Sequence, residues 1–236
     1  LGGTQFPVEW STMAMTVTTK DTTALTEVEI VEMAELCLGR APYFDVAFLT
    51  EQKDQWVLVS QAREGNKLRG YSFCTLERIG GTPSLLVGTA LVDRNQKSDQ
   101  TLKVLLHDQF RRALLAFPDE DVLLGTRLTT ADGFRAFQGL EDIVPRPDYK
   151  PTGEDRAWGR RLAKRFGSEK AIDDKTFVMA IDDGRPVGGL DYVVAKAAIP
   201  EGANESFKGV RAEKGERLVV FGWAMAEALA SGKLPK

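Results

Sequence analysis

The chain of 236 residues is long enough to bury a sizeable core, and at 43% hydrophobic and 28% charged it has the composition of a soluble globular protein. Its net charge of −3 excludes a general nucleic-acid binder, which carries a basic excess. Cys37 and Cys74 sit singly in apolar runs without metal-ligand or disulfide spacing, and no run reaches the roughly 20 apolar residues of a membrane-spanning helix. No metal, no nucleic-acid partner and no membrane are therefore expected, and the expected location is cytoplasmic.

Residues 1–24 are rich in Thr and Ser without a period and read as an extended arm or an edge segment; the arm is set at 1–25 and the domain at 26–236. Thr26 is placed to cap a helix over EVEIVEMAELCLGRA, with Val28, Val31, Ala34, Leu36 and Leu38 on its apolar side, glutamates on the other, and Pro42 as its stop. DVAFL (45–49) reads equally as a short strand or as a helical turn. QWVLVSQAR (55–63), LRGYSFCTLERI (68–79) and SLLVGTALV (84–92), separated by the turns EGNK and GGTP, predict an antiparallel meander. The third of these is almost wholly apolar, as expected for a central strand covered on both faces.

Leu102, Leu106, Phe110, Ala113 and Phe117 recur at helical spacing and predict a long helix from Ser98 to Phe117, capped by Ser98 or Asp99 and stopped by Pro118. DVLLGTRL (121–128) then predicts a buried strand parallel to 84–92 through a β-α-β crossover. A short helix (130–140) follows. At about 145–175 an insertion of loop and helix is expected, carrying the basic helix EDRAWGRRLAKRFG with Trp158, Leu162 and Phe166 turned inward. TFVMAIDDGRPVGGLDYVV (176–194) predicts a hairpin around Asp182-Asp183-Gly184, residues 196–215 a polar loop, and 217–232 a last strand or a strand running into a helix. The fold class is α/β (α+β): a mixed, mostly antiparallel twisted sheet with helices on both faces.

The chemistry concentrates in the polar gap RNQKSD between strand 84–92 and the long helix, since ligands of open α/β sheets gather at strand ends and the first amides of a helix point outward. The gap lacks the glycines that let amides approach a phosphate closely. The order of elements over about residues 26–145, together with this gap and the piece FRAFQGLEDIV, resembles the GNAT superfamily of N-acetyltransferases. That resemblance implies a loop of pattern Gln/Arg-x-x-Gly-x-Gly/Ala whose amides hold the pyrophosphate of coenzyme A. It also implies a splayed pair of parallel strands that admits the pantetheine arm as if it were an added strand. Here Arg94 takes the first place of the loop, while Lys97 and Asp99 stand where the glycines belong. Phe134 and Phe137 stand near the position from which such proteins often present a tyrosine to the leaving thiolate.

On this resemblance Val92, Arg94, Gln96, Lys97, Ser98, Asp99 and Thr129 are the residues expected to meet acetyl-CoA or a longer acyl-CoA, and Asp93 and Glu77 the catalytic carboxylates. Asp93 either draws a proton from an attacking amine or begins a turn; Lys97 either meets phosphate or is an exposed lysine. Thr126, Arg127, Thr129 and Thr130 are placed to line the opening. His107, the single histidine, falls on a basic stripe off the apolar face. Two functions follow: transfer of an acyl group from an acyl-thioester to a small-molecule amine, or a non-catalytic module of the same fold that binds a ligand or self-associates as a homodimer.

Overall fold

Alternation of side chains and two glycine-bearing turns build the frame first. In the computed structural model, which describes residues 14–41, 43–167, 172–180 and 187–234, β2 (Leu58–Glu64), β3 (Lys67–Ile79) and β4 (Thr82–Val92) form the expected antiparallel meander. β1 (Met15–Asp21) pairs with β2 and is the edge of the sheet.

α1 (Glu27–Cys37) opens on a capping box in which Thr26 and Glu29 satisfy each other's amides. Its buried side is Ile30, Met33 and Cys37, which corrects the apolar stripe read from the sequence: Val28 and Leu38 are 79% and 71% exposed. Both sets have helical spacing, and packing against β3 selects the one carrying the Cys37 thiol to the Tyr71 hydroxyl, 3.1 Å away. The helix ends at Cys37, short of Pro42, which lies outside the described residues. Asp45 caps α2 (Val46–Gln55), so DVAFL is helical.

α3 (Ser98–Ala116) buries Leu102, Leu105, Leu106, Phe110 and Ala113, and returns the chain to β5 (Val122–Leu128), parallel to β4. Neither expected residue caps α3: Lys97 is its N-cap and makes no side-chain cap bond. A 3-10 segment (Ala131–Phe137), β6 (Glu141–Val144) and the basic α4 (Gly153–Arg165) follow, with Trp158 and Leu162 buried and the single His107 exposed on α3. β7 (Val178–Met179) pairs with β9 (Arg217–Ala224), whereas β8 (Leu190–Asp191) lies between β4 and β5. These two strands do not pair with each other, which corrects the predicted hairpin; its turn, 182–184, lies outside the described residues. Short α5 (Ala203–Ser206) interrupts the polar loop, and β9 runs into α6 (Ala226–Ala230).

The sheet is mixed and mostly antiparallel, in the order β1-β2-β3-β4-β8-β5-β9-β6. α3 covers one face, where Gly70 faces Thr101 and Leu105; α1, α2 and α4 cover the other, where Gly125 faces Leu162. Among the described residues no helix is long and apolar enough to cross a membrane.

One irregularity positions everything that follows. The β3–β4 register shifts between Phe73 and Cys74, leaving Gly88 as the extra residue of a β-bulge, which bends its strand. The Trp56 indole lies directly on Gly88, where an added Cβ would fall 1.8 Å from Cε2. Gly88→Ala is accordingly expected to lower stability by about 1–3 kcal/mol, read as the urea midpoint, because a rigid indole must leave its site. An unchanged midpoint would show that the bulge is not fixed by this contact.

Candidate functional site

The direct β4–β5 ladder runs from Ser84↔Leu123 to Val87↔Thr126 and stops at the bulge. Beyond it the strands part, and β8 enters the gap parallel to both, with Ala90↔Leu190, Leu91↔Asp191 and Leu128↔Leu190 in register. The Ala90 amide donates to the Gly189 carbonyl (3.0 Å), and the Thr129 amide and hydroxyl donate to the Leu190 carbonyl (3.2 and 3.0 Å). The approach is too close for side chains. A Cβ on Gly188 would lie 2.2 Å from Thr89 Oγ1, and one on Gly189 would lie 2.8 Å from the Arg127 carbonyl.

From β8 the chain crosses the start of α3 as a strap. The Tyr192 carbonyl accepts from the Thr130 hydroxyl (2.6 Å), the Val193 carbonyl from the Ser98 hydroxyl (3.0 Å), and the Val194 amide donates to Asp132 (2.9 Å). Asp99 is the main anchor. Its carboxylate accepts the amides of Ala195, Lys196 and Ala197, each at 2.9 Å, and the Tyr192 hydroxyl at 2.6 Å. Partial burial raises its pKa, but the hydroxyl and the amides together outweigh that and hold it at about 2.

The remaining residues of the gap are tied into ion pairs. Asp93, buried at the end of β4, meets Arg40 at 2.7 Å, Arg69 at 3.1 Å and the Asn95 amide at 2.8 Å. Burial raises its pKa, and Arg40, Asn95 and Arg69 overcome that and hold it below the ordinary value. Lys97 pairs with Glu64, which also takes Arg69 at 2.5 Å. Arg94 reaches Asp191 of β8 at 3.3 Å, and the Thr129 hydroxyl lies 3.3 Å from the other Asp191 oxygen. Gln96 is exposed, and Val92 is buried under α3. Glu77 is elsewhere: it stands opposite Ser84 at the other end of β4, bound to Arg165 at 2.7 Å. Arg127 is buried beneath the strap, its guanidinium 4.5 Å from the Phe166 ring and bonded to the Gly88 carbonyl at 3.1 Å. Burial foremost, and then the nearby Arg217 and Arg165, bring its pKa down to about 9.

A meander leading into a strand that splays from its parallel neighbour, joined to it by a helix starting at the mouth of the splay, is the arrangement expected from the sequence. The fold has the element order and the splay that the sequence's resemblance to the GNAT superfamily implies. No protein-family model and no curated protein matches the chain. Among solved structures it is similar to the aminoglycoside 6'-N-acetyltransferase from Enterococcus faecium, at 14% identity and a TM-score of 0.37, over 47% of this chain and 61% of that one. It is also similar to ElaA of Escherichia coli, at 13% identity and a TM-score of 0.35, over 59% of this chain and 95% of that one. The chain spans about three-fifths of the length of the first.

The arrangement around the splay does not fit coenzyme A. The strand-like position is filled by Gly189–Asp191, and the mouth of α3 carries the Asp99 carboxylate, which repels an anion and already holds the strap. Lys97, the cation nearest that mouth in sequence, is neutralised by Glu64. Asp93 has its oxygens engaged by three donors and is a weaker base than a free aspartate. Sequence reasoning singled out this turn but not Asp191, Tyr192 and Asp132, which the structure brings to it. The signal was Gly188-Gly189 directly before Leu190-Asp191-Tyr192, two residues without side chains where a backbone must pass between others.

The Asp99 anchor has a pH signature. Its folded pKa, about 2, lies below the ordinary 3.8, so its contribution is complete above about pH 4 and is lost as pH falls toward 2. Thermal midpoints measured from pH 5 down to pH 2 are expected to fall less steeply for Asp99→Asn than for the natural chain. Parallel curves would show that the carboxylate adds nothing to the fold.

Proposed function

We propose that the protein is a GNAT-like module that does not transfer acyl groups in this arrangement. The observation that supports this reading is β8: the chain's own backbone fills the opening between β4 and β5, where a thioester's arm would lie. The side chains agree with it, since Asp93 is locked by Arg40 and Arg69, and Glu77 stands at the far end of the sheet. The module's activity is then binding. The exposed Val28 and Val31 of α1, with Leu38 just past its end, support self-association as a homodimer through that side.

A second reading is an N-acyltransferase that carries an acyl group from acetyl-CoA or a longer acyl-CoA to a small amine, working chiefly by holding the two reactants together. The observation that favours it is Arg94, whose side chain is 40% exposed at the mouth of the splay with Asp191 as its one ion-pair partner among the described residues. Under this reading the strap must leave before donor enters, and Arg94→Ala weakens binding.

Titration calorimetry with acetyl-CoA and with longer acyl-CoAs separates the two. The first reading expects no saturable heat with any thioester. A dissociation constant at or below about 1 mM, weakened by Arg94→Ala, would overturn it in favour of the second.

A further inference from the structure

The strap from Val187 to Ala197 joins a weak grip to a strong one. Its ladder is short: β8 is Leu190–Asp191, and the preceding Gly188 and Gly189 contribute no side chains to packing. Its main hold lies outside the ladder, in one carboxylate that gathers three successive amides and a tyrosine hydroxyl. Beneath it two guanidiniums are buried. Arg127 and Arg217 each have an Nε without a hydrogen-bond partner among the described residues, and Arg217 reaches the strap through the Val187 carbonyl at 3.4 Å and feels the charge of the strap's own Asp191. Covering Arg127 opposes closure, because the charges that act on it are the cations Arg217 and Arg165, and a buried cation without a counter-charge is better solvated in water. The sheet around the strap stands without it, since β4 and β5 keep their ladder from Ser84 to Val87 and β5 pairs with β9 along its whole length.

We propose that the strap is a displaceable self-ligand: it occupies the cleft as an internal substitute for an extended, amide-bearing chain and is latched there by Asp99. The inference rests on the reading that the natural chain is closed, and adds that the closed state is one of two. With the latch removed, the Ala90 and Thr129 amides lose their acceptors and face an open slot between two strand edges, which takes an extended chain of amides as a strand would. The same substitution removes the negative charge at the mouth of α3, so an anionic end on that chain is no longer repelled.

Amide exchange followed by NMR, and calorimetry, test this on Asp99→Ala in the full chain. Exchange is expected to rise at least about tenfold at Ala90, Thr129 and residues 195–197, while the β5–β9 amides keep their natural rates. Acetyl-CoA, and pantetheine as the amide arm alone, are expected to bind the variant and not the natural chain. If Asp99→Ala does not fold, Asp99→Asn, which keeps an acceptor oxygen, is expected to show the same pattern at smaller amplitude. Exchange that rises throughout the sheet, or nowhere, overturns the latch. Selective exchange without binding of either probe overturns the displaceable ligand and leaves a structural strap. Binding of acetyl-CoA to the natural chain overturns the closed-module reading instead, with the latch still decided by exchange.

Discussion

Parting two neighbouring strands in the middle of a sheet leaves backbone donors and acceptors facing each other across a gap that water reaches poorly. Each such group left unpaired costs about 1–3 kcal/mol, so an opening of this kind persists only if something completes it. Here the gap begins at the Gly88 bulge, past the Val87↔Thr126 pair, and the completing element comes from a hundred residues further along the same chain. The close approach dictates glycine at 188 and 189; the Thr129 hydroxyl reinforces the Leu190 carbonyl; Asp191 and Thr130 extend the contact on either side.

The electrostatics around the opening follow the same logic of internal completion. Arg40, Asp93, Arg69, Glu64 and Lys97 alternate in sign and form a chain of ion pairs running beneath the turn. Each carboxylate is shared by two cations, and Arg69 by two carboxylates, which fixes the turn in one conformation. It also spends the charges that would otherwise recognise an anion or move a proton. Arg94 is the member of the turn that looks across to β8, tying the turn to the strap. The turn is therefore rigid for reasons that are structural throughout, and its polar composition is accounted for without a ligand.

Sequence alone revealed the scaffold because the scaffold is written in local periodicity. The meander, α3 and the parallel return to β5 each have an apolar pattern long enough to fix their type, and Leu102, Leu106 and Phe110 are buried as their spacing requires. What escaped were choices made between distant partners. Val28 and Ile30 are equally suited to an apolar helix face, and only the position of β3 decides that Ile30 and Cys37 go inside. Ser98 and Asp99 are both good cap residues, yet each is drawn away from the helix end by strap backbone ninety-odd residues later. β8 has no period to read at all, being a pair of residues defined by the gap it enters. Asp93, Arg94 and Lys97 were rightly gathered at one turn, but their partners, Arg40, Asp191 and Glu64, come from three other elements.

Opening and filling are encoded separately, and that separation bears on what the cleft is. Gly88 forms the bulge, with the Trp56 indole packed on it, where the direct ladder from β4 to β5 ends. Gly188, Gly189 and Asp99 bring and hold the strand β8, with Gly188 passing close against the Gly88 carbonyl. A sheet selected only for closure needs neither device, since β4 and β5 pair directly as far as Val87 and a straight β4 would carry the ladder on. Keeping the bend therefore keeps a slot, and keeping the strap keeps the slot shut, with the buried Arg127 opposing the cover. A cleft maintained by one set of residues and covered by another is the arrangement expected of a site whose occupancy can change.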